Sequence, residues 1–236
     1  MQNSFSIIIP YCGKLDKVDR AVNSILGQTY TNWELILVND DGPVYEAPKD
    51  SRISSFHQEH KNRCFARNLG MERSTKDWIC WLDSDDSYIN TYLEILNQEI
   101  NDNPDYKVFN FGAIIFTQKG TRQLPQFNST RIREPFGLKD YEEFASGHIG
   151  TGHFIFHRQV YQKIGGLPQV INCYKLADAA KTEFPEMKKW FGPLYMEGGK
   201  EIGNPWGDDY YMFYKITRKF KCKTLPYYLY IQYAHL

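Results

Sequence analysis

Phe5 to Ile9 form an apolar run closed by Pro10, the pattern of a strand buried on both faces of a parallel sheet. The period then changes. Val18, Ala21, Val22, Ile25 and Leu26 recur at helical spacing, and Leu35 to Val38 return to an unbroken apolar run that ends in the polar turn Asn39-Asp40-Asp41-Gly42. Strand, helix and strand in this order make a βαβ unit. A weaker strand over Ile53–Phe56 and a helix from about Cys64 to Glu72 lead to Trp78-Ile79-Cys80-Trp81-Leu82, a short apolar strand that runs straight into Asp83-Ser84-Asp85-Asp86. Tyr92, Leu93, Leu96 and Ile100 mark another helical face, and Val108–Phe111 with Ala113–Phe116 read as extended chain. The first half is therefore an alternating α/β layer, and ligands of such sheets bind at the carboxyl ends of the strands.

The second half is less regular. A strand near Phe154–Phe156, a helix over Tyr210–Arg218 and a closing extended segment stand among loops rich in Gly and Pro. From Gln169 to Pro205 no period holds, and Pro185, Pro193, Gly198 and Gly199 interrupt the stretch, which reads as an excursion over the surface. No internal repeat or low-complexity tract is visible.

A length of 236 residues suits one large α/β domain spanning 1–236 rather than two. Lys and Arg together number 28, as do Asp and Glu, so no basic surplus points to nucleic acid as the partner. Cys12, Cys64, Cys80, Cys173 and Cys222 form no CxxC pair and read as reduced, structural thiols. The amino end lacks a basic segment and a cleavage site, and no apolar run approaches the roughly 20 residues of a membrane span. A cytoplasmic location is the expectation, with peripheral contact at the inner face of a membrane left open. Aromatic residues make up 16% of the chain and cluster late, as in Tyr210-Tyr211-Met212-Phe213-Tyr214; strand and core packing is the favoured account, and a homodimer or partner surface stays open.

The strongest chemical signal is the trio Asp83, Asp85 and Asp86 at the end of a buried strand. Taken alone it is equally a turn with capping residues. Carboxylates this close repel one another unless a cation is present, and their hard oxygens suit Mg²⁺ or Mn²⁺, ions that also bridge the oxygens of a diphosphate. Asp40 and Asp41 form a second acidic turn, fit to accept from a base N–H or a ribose hydroxyl, or simply to close the strand. Arg67, on the helix before the acidic strand, is placed to meet an acidic neighbour or a base carbonyl. Trp206-Gly207-Asp208-Asp209 precedes a helical stretch, where carboxylates are favoured as caps and where one can serve as a proton acceptor. The histidines, including His148, His153 and His235, lack partners at zinc-ligand spacing.

Taken in order, these segments resemble the family 2 glycosyltransferases of the GT-A fold. Ser6-Ile7-Ile8-Ile9-Pro10 looks like that family's opening strand, Ala21–Tyr30 like its first helix and turn, and Glu34–Asp40 like its second strand with the nucleotide-binding acid. Ala66-Arg67-Asn68-Leu69-Gly70 and Trp81-Leu82-Asp83-Ser84-Asp85-Asp86 match the two motifs that follow. The resemblance implies a mixed sheet flanked by helices, with residues 1–117 binding a nucleotide-sugar donor and 118–236 binding a glycan or lipid-linked acceptor. It implies that Pro10, Asp40 and Arg67 hold the base, Asp83 the ribose, and Asp85 a Mn²⁺ or Mg²⁺ ion. Asp209 would be the catalytic base, Asp208 would orient the acceptor, and His235 would match a late histidine near the metal or diphosphate.

Three departures stand out. Tyr11-Cys12-Gly13 follows Pro10 where the family has a small residue, an aromatic and an asparagine, so the base-stacking ring is expected at Tyr11. Asp41 occupies a position where glycine is common. The stretch before Trp206 is longer than the family's and is expected to set acceptor choice. A phosphatase of the haloacid dehalogenase type shares an acidic strand end, but its late Gly-Asp-Asp should follow an apolar strand, and Gly203-Asn204-Pro205-Trp206 stands there instead. A non-catalytic protein that binds a nucleotide sugar or glycan is the third reading.

Overall fold

The computed structural model describes residues 2–59, 62–117, 120–124, 151–168, 182–183, 195–197, 200–202 and 208–233. The apolar run at the amino end forms β1 (Phe5–Tyr11), and all seven of its residues are buried. It is followed by α1 (Leu15–Leu26), β2 (Trp33–Asp40), β3 (Ile53–Gln58), α2 (Arg63–Arg73) and β4 (Trp78–Trp81). Strands β2 and β4 both run parallel to β1, one on each side, and β3 extends the sheet beyond β2. Alternation along β1 sends its side chains to two cores. Ile8 joins Val38, Cys64, Ala66, Met71 and Trp81 beneath α2, whereas Phe5, Ile7 and Ile9 join Val18, Val22 and Ile25 of α1.

The chain continues through β5 (Ser87–Tyr88), α3 (Tyr92–Asp102), β6 (Val108–Thr117), β7 (Gly120–Leu124), a 3₁₀ turn at Thr151–His153, β8 (Phe154–His157), α4 (Arg158–Ile164), a hairpin of β9 (Tyr195–Glu197) and β10 (Lys200–Ile202), α5 (Asp208–Thr217) and β11 (Cys222–Tyr233). Among the described residues the main sheet has nine strands in the order β3-β2-β1-β4-β8-β6-β11-β5, with β7 paired to β6. β8 lies antiparallel to both β4 and β6, and β11 is parallel to β6 yet antiparallel to β5. The sheet is thus mixed and flanked by helices, as the resemblance implies.

Differences from the sequence expectations have local causes. β5 is two residues long, too short to show a period, and its pairing is supplied by β11. The closing segment contains Pro226, which cannot donate to a ladder; the register with β6 shifts between Thr224 and Tyr228, so the proline sits at the irregularity. α5 begins at Asp208, two residues ahead of the expected start. Of the excursion expected over Gln169–Pro205, only Thr182, Glu183 and the β9–β10 hairpin fall among the described residues.

Gly70 shows how closely α2 lies on the sheet. A Cβ at that position would stand 2.3 Å from Cγ2 of the fully buried Ile8. Gly70→Ala should therefore cost about 1–3 kcal/mol, read from urea melts, through overpacking. Ile8→Ala in the same chain should relieve the clash, so the double variant should be more stable than the sum of the single losses.

Candidate functional site

The sequence order around β1 reverses: from β1 the chain builds outward to β2 and β3, then returns to place β4 on the other side. That reversal opens a crevice at the carboxyl ends of the strands. A cleft of about 640 Å³ lies there, bordered by Pro10, Tyr11, Asp40, Arg67, Asp83 and Asp85 among others.

Each side chain is placed by a different local requirement. Asp40 ends β2 and is 5% exposed; its Oδ1 accepts from Nε2 of Gln58 at 2.7 Å and from the Asn62 N–H at 3.4 Å. The turn after it is closed by Asn39, whose amide accepts from the Gly42 N–H at 2.7 Å and donates to the Gly42 carbonyl at 2.9 Å. Asp41 takes φ 62°, a left-handed conformation that aspartate tolerates better than most residues. It is exposed and lies outside the cleft lining. Next to it, a Cβ on Gly42 would meet the Gly13 backbone nitrogen at 2.5 Å, so the turns after β1 and β2 close on each other there.

Tyr11 borders the cleft but is only 5% exposed. Its ring stands edge-on to Tyr45 with centroids 6.5 Å apart, and its hydroxyl accepts from the Tyr45 N–H at 3.3 Å. Burial, together with the bond its own hydroxyl donates to Asp19, pushes the Tyr45 phenol up. Most of the Tyr11 ring is therefore spent on packing, and little of its surface faces the cleft.

The Ala66–Gly70 motif divides its work among three residues. The Arg67 side chain is 2% exposed, and its Nη2 donates to Asp83 Oδ1 at 2.6 Å. Asn68 grips Leu167 with both ends of its amide, donating to the carbonyl and accepting from the N–H, each at 2.8 Å. Gly70 allows the approach to Ile8 already described.

The acidic loop is likewise divided. Asp83 is engaged by Arg67. Asp86 turns inward, 3% exposed, where its carboxylate accepts from the Tyr230 hydroxyl at 2.6 Å and the Tyr233 N–H at 3.0 Å. Only Asp85 is left exposed at the cleft, with no cation paired to its carboxylate among the described residues. An arginine offsets Asp83 and two donors from β11 meet Asp86, so the three acids are held in three different ways. No set of three or more His, Cys, Asp or Glu able to hold a metal ion by itself occurs among the described residues.

β11 also brings Gln232 and Tyr233 to the cleft, and the segment before and within α2 brings Asn62 and Arg63. Gln232 and Tyr233 carry no local signal in the sequence, because β11 reaches the acidic loop only through long-range pairing. Asp208 and Asp209 open α5, but their side chains lie outside the described residues, as do His148 and His235. Cys12 borders the cleft as an exposed free thiol; Cys64, Cys80 and Cys222 are free and buried, and Cys173 lies outside the described residues.

Residues 6–165 match the sequence profile of the family described as "Glycosyl transferase family 2". The chain belongs to the family 2 glycosyltransferases. This membership sets the phosphatase reading aside. An uncharacterized glycosyltransferase of Rickettsia bellii is 34% identical over 96 residues, which are 38% of this chain and 14% of that protein. The Escherichia coli UDP-Glc:alpha-D-GlcNAc-diphosphoundecaprenol beta-1,3-glucosyltransferase WfgD is 32% identical over 116 residues, 46% of each chain. The matched stretch thus spans less than half the length of either relative. Among solved structures, Staphylococcus aureus TarS residues 1–349 superpose with a TM-score of 0.62 at 13% identity, covering 98% of this chain and 60% of that one. The mannosyltransferase PcManGT of Pyrobaculum calidifontis, in complex with GDP-Man and Mn²⁺, superposes with a TM-score of 0.60 at 12% identity, covering 98% and 57%. At such identity the likeness establishes the GT-A fold of this family 2 member.

Burial and the neighbouring Asp83 push the Asp86 carboxyl up to about 7, against the opposing bonds from Tyr230 and Tyr233. The native chain then keeps a proton that the unfolded chain releases near the ordinary carboxylate value. Stability from this group is present below that value and lost as pH rises through about 7. Asp86→Asn can still meet Tyr230 and Tyr233 and carries no titration. In metal-free buffer, the wild type should lose stability relative to Asp86→Asn between pH 4 and 7, with a differential slope of up to about 1.4 kcal/mol per pH unit in urea melts.

Proposed function

We propose that this family 2 member transfers a sugar from a nucleotide diphosphate, UDP by preference, to a hydroxyl of a glycan or lipid-linked acceptor, with inversion at the anomeric carbon. The observation that carries the reading is the convergence of Asp40, Arg67, Asp83 and Asp85 on one cleft at the switch point of the sheet. Three further likenesses support it. The name of WfgD specifies a UDP-glucose donor and a diphosphoundecaprenol-linked acceptor. A structure of TarS, TM-score 0.62, holds UDP-GlcNAc, and that of PcManGT holds Mn²⁺ with its donor. In this reading the protein works in the cytoplasm, at the inner face of a membrane. No helix among the described residues is long and apolar enough to cross a membrane.

In this reading Pro10 and Asp40 border the base, with Tyr11 supporting the strand end, and Asp83 takes the ribose. Arg67 acts mainly by fixing Asp83, since its guanidinium is buried in that ion pair. Asp41 has no part in the set beyond shaping its turn. Asp85 suits Mg²⁺ or Mn²⁺, which characteristically take one or two carboxylates and fill their remaining positions with water and phosphate oxygens. When bound, such an ion neutralises the charge that develops on the leaving diphosphate.

The chain's own contribution to the chemistry is positioning and proton removal. Asp209, in the first turn of α5, removes the proton of the acceptor hydroxyl, and Asp208 orients that acceptor. The freed oxygen forms a bond to the anomeric carbon as the bond to the diphosphate breaks on the opposite face. The family resemblance gives His235 a role near the metal or the diphosphate.

Calorimetric titration with UDP, GDP, CDP and dTDP, with Mn²⁺ present and then chelated, should give metal-dependent heat for UDP; no heat with any of them would remove the proposed donor site. Asp209→Asn should leave UDP binding intact and lower transfer by roughly 10²–10⁴-fold, the usual contribution of a general base. Transfer at the wild-type rate would show that Asp209 is not the base, and the absence of turnover from wild type with intact binding would favour a non-catalytic binder.

A further inference from the structure

Arg20 stands on the polar side of α1, outside every motif that the sequence singles out. Its Nη2 donates to the backbone carbonyl of Asp85 at 2.6 Å, and its Cζ lies 3.8 Å from the centroid of the Tyr233 ring. One side chain therefore spans from the acidic loop to the cleft-lining end of β11. Tyr233 is itself fixed, by its N–H on Asp86 at 3.0 Å and by stacking with Phe116 at 5.6 Å between centroids and 15° between planes.

The three acids of the loop differ in how they are held. Asp83 is anchored through its carboxylate by Arg67, and Asp86 through its carboxylate by Tyr230 and Tyr233. Asp85 is exposed, and the bond from Arg20 reaches its main chain, so the peptide is fixed while the carboxylate stays clear for a ligand. A planar guanidinium suits this task, because it can lie on an aromatic face and donate in its own plane at once; an ammonium group cannot.

We propose that Arg20, backed by Tyr233, is a positioning residue that sets the direction of the Asp85 carboxylate toward a divalent cation and the donor diphosphate. This rests on the reading of Asp85 as the cation ligand. Groups that orient a metal ligand typically contribute roughly 10–100-fold to metal affinity.

The test is calorimetric. UDP is titrated at a series of Mn²⁺ concentrations, and again under chelation, into wild type, Arg20→Ala, Arg20→Lys, Tyr233→Leu and Asp85→Asn, each with its thermal midpoint recorded. Arg20→Ala should raise the Mn²⁺ needed for half-maximal UDP binding by roughly tenfold or more, leaving the chelated binding and the midpoint unchanged. Arg20→Lys keeps the charge but not the plane, and Tyr233→Leu removes the backing; both should shift the Mn²⁺ requirement the same way by a smaller factor. If Asp85→Asn loses the Mn²⁺ response while Arg20→Ala and Tyr233→Leu match wild type, the role of Arg20 is overturned and the reading of Asp85 stands. If Arg20→Ala weakens chelated binding as much as metal-dependent binding, or Arg20→Lys is indistinguishable from wild type, Arg20 acts by charge on the nucleotide and the proposal fails. If Asp85→Asn responds to Mn²⁺ as wild type does, both fall together.

Discussion

The ion pair between Arg67 and Asp83 is the constraint on which the cleft depends. A guanidinium with 2% of its side chain exposed is costly to hold in a protein interior unless a carboxylate and good geometry compensate it. The pair therefore fixes the distance between α2 and the end of β4, and those two elements carry much of what borders the cleft. Trp81, whose ring centroid lies 5.3 Å from the guanidinium carbon, adds an aromatic wall to the same enclosure. With one carboxylate committed to the arginine, the loop that follows β4 cannot present all of its acids to the same ligand.

The rest of the fold completes that division from the far end of the chain. β11 runs parallel to β6 through to Tyr233 and, on its other edge near Tyr230, pairs antiparallel with β5, which directly follows the acidic loop. This brings Tyr230 and Tyr233 against Asp86, 144 and 147 residues away in sequence. A Cβ on Gly152 would fall 1.7 Å from the Tyr230 ring, so the 3₁₀ turn before β8 lets that tyrosine reach inward. Asn68 makes a comparable long-range tie, holding Leu167 just beyond α4. The two halves of the chain meet at the acidic loop and at α2, the elements that shape the cleft.

The elements most legible in the sequence were those whose burial repeats: β1, β2 and β4 as apolar runs, and α1 and α3 as helical stripes. The order of those elements was enough to place the cleft at the strand ends. Less legible was the use of each acid. Asp83, Asp85 and Asp86 are near-identical neighbours in sequence, yet one meets an arginine, one stays open and one is buried beneath tyrosines, and only the tertiary pairings distinguish them. Asp41 illustrates the opposite problem: its acidic side chain suggests chemistry, while its left-handed backbone accounts for its presence in the turn. The sequence puts a base-stacking ring at Tyr11, and the structure sets that residue 5% exposed in the core at the edge of the cleft, with Tyr45 edge-on to it. Arg20 gave no local signal, because a single arginine on the polar side of an amphipathic helix is the ordinary surface pattern.

Placing anchors on main chain or on side chain has a functional consequence. A carboxylate that already accepts two bonds has little left to offer a cation, whereas a carboxylate whose peptide alone is gripped keeps its oxygens and loses its freedom. Asp86 is the first kind and Asp85 the second. Two residues apart from Asp83, a side chain of the second kind gains most from preorganisation, since an exposed aspartate otherwise spreads its carboxylate over several rotamers. The acidic loop thus combines an acid paired with α2, a structural acid held by β11 and an open acid steadied by α1, so each of the three is held from a different element.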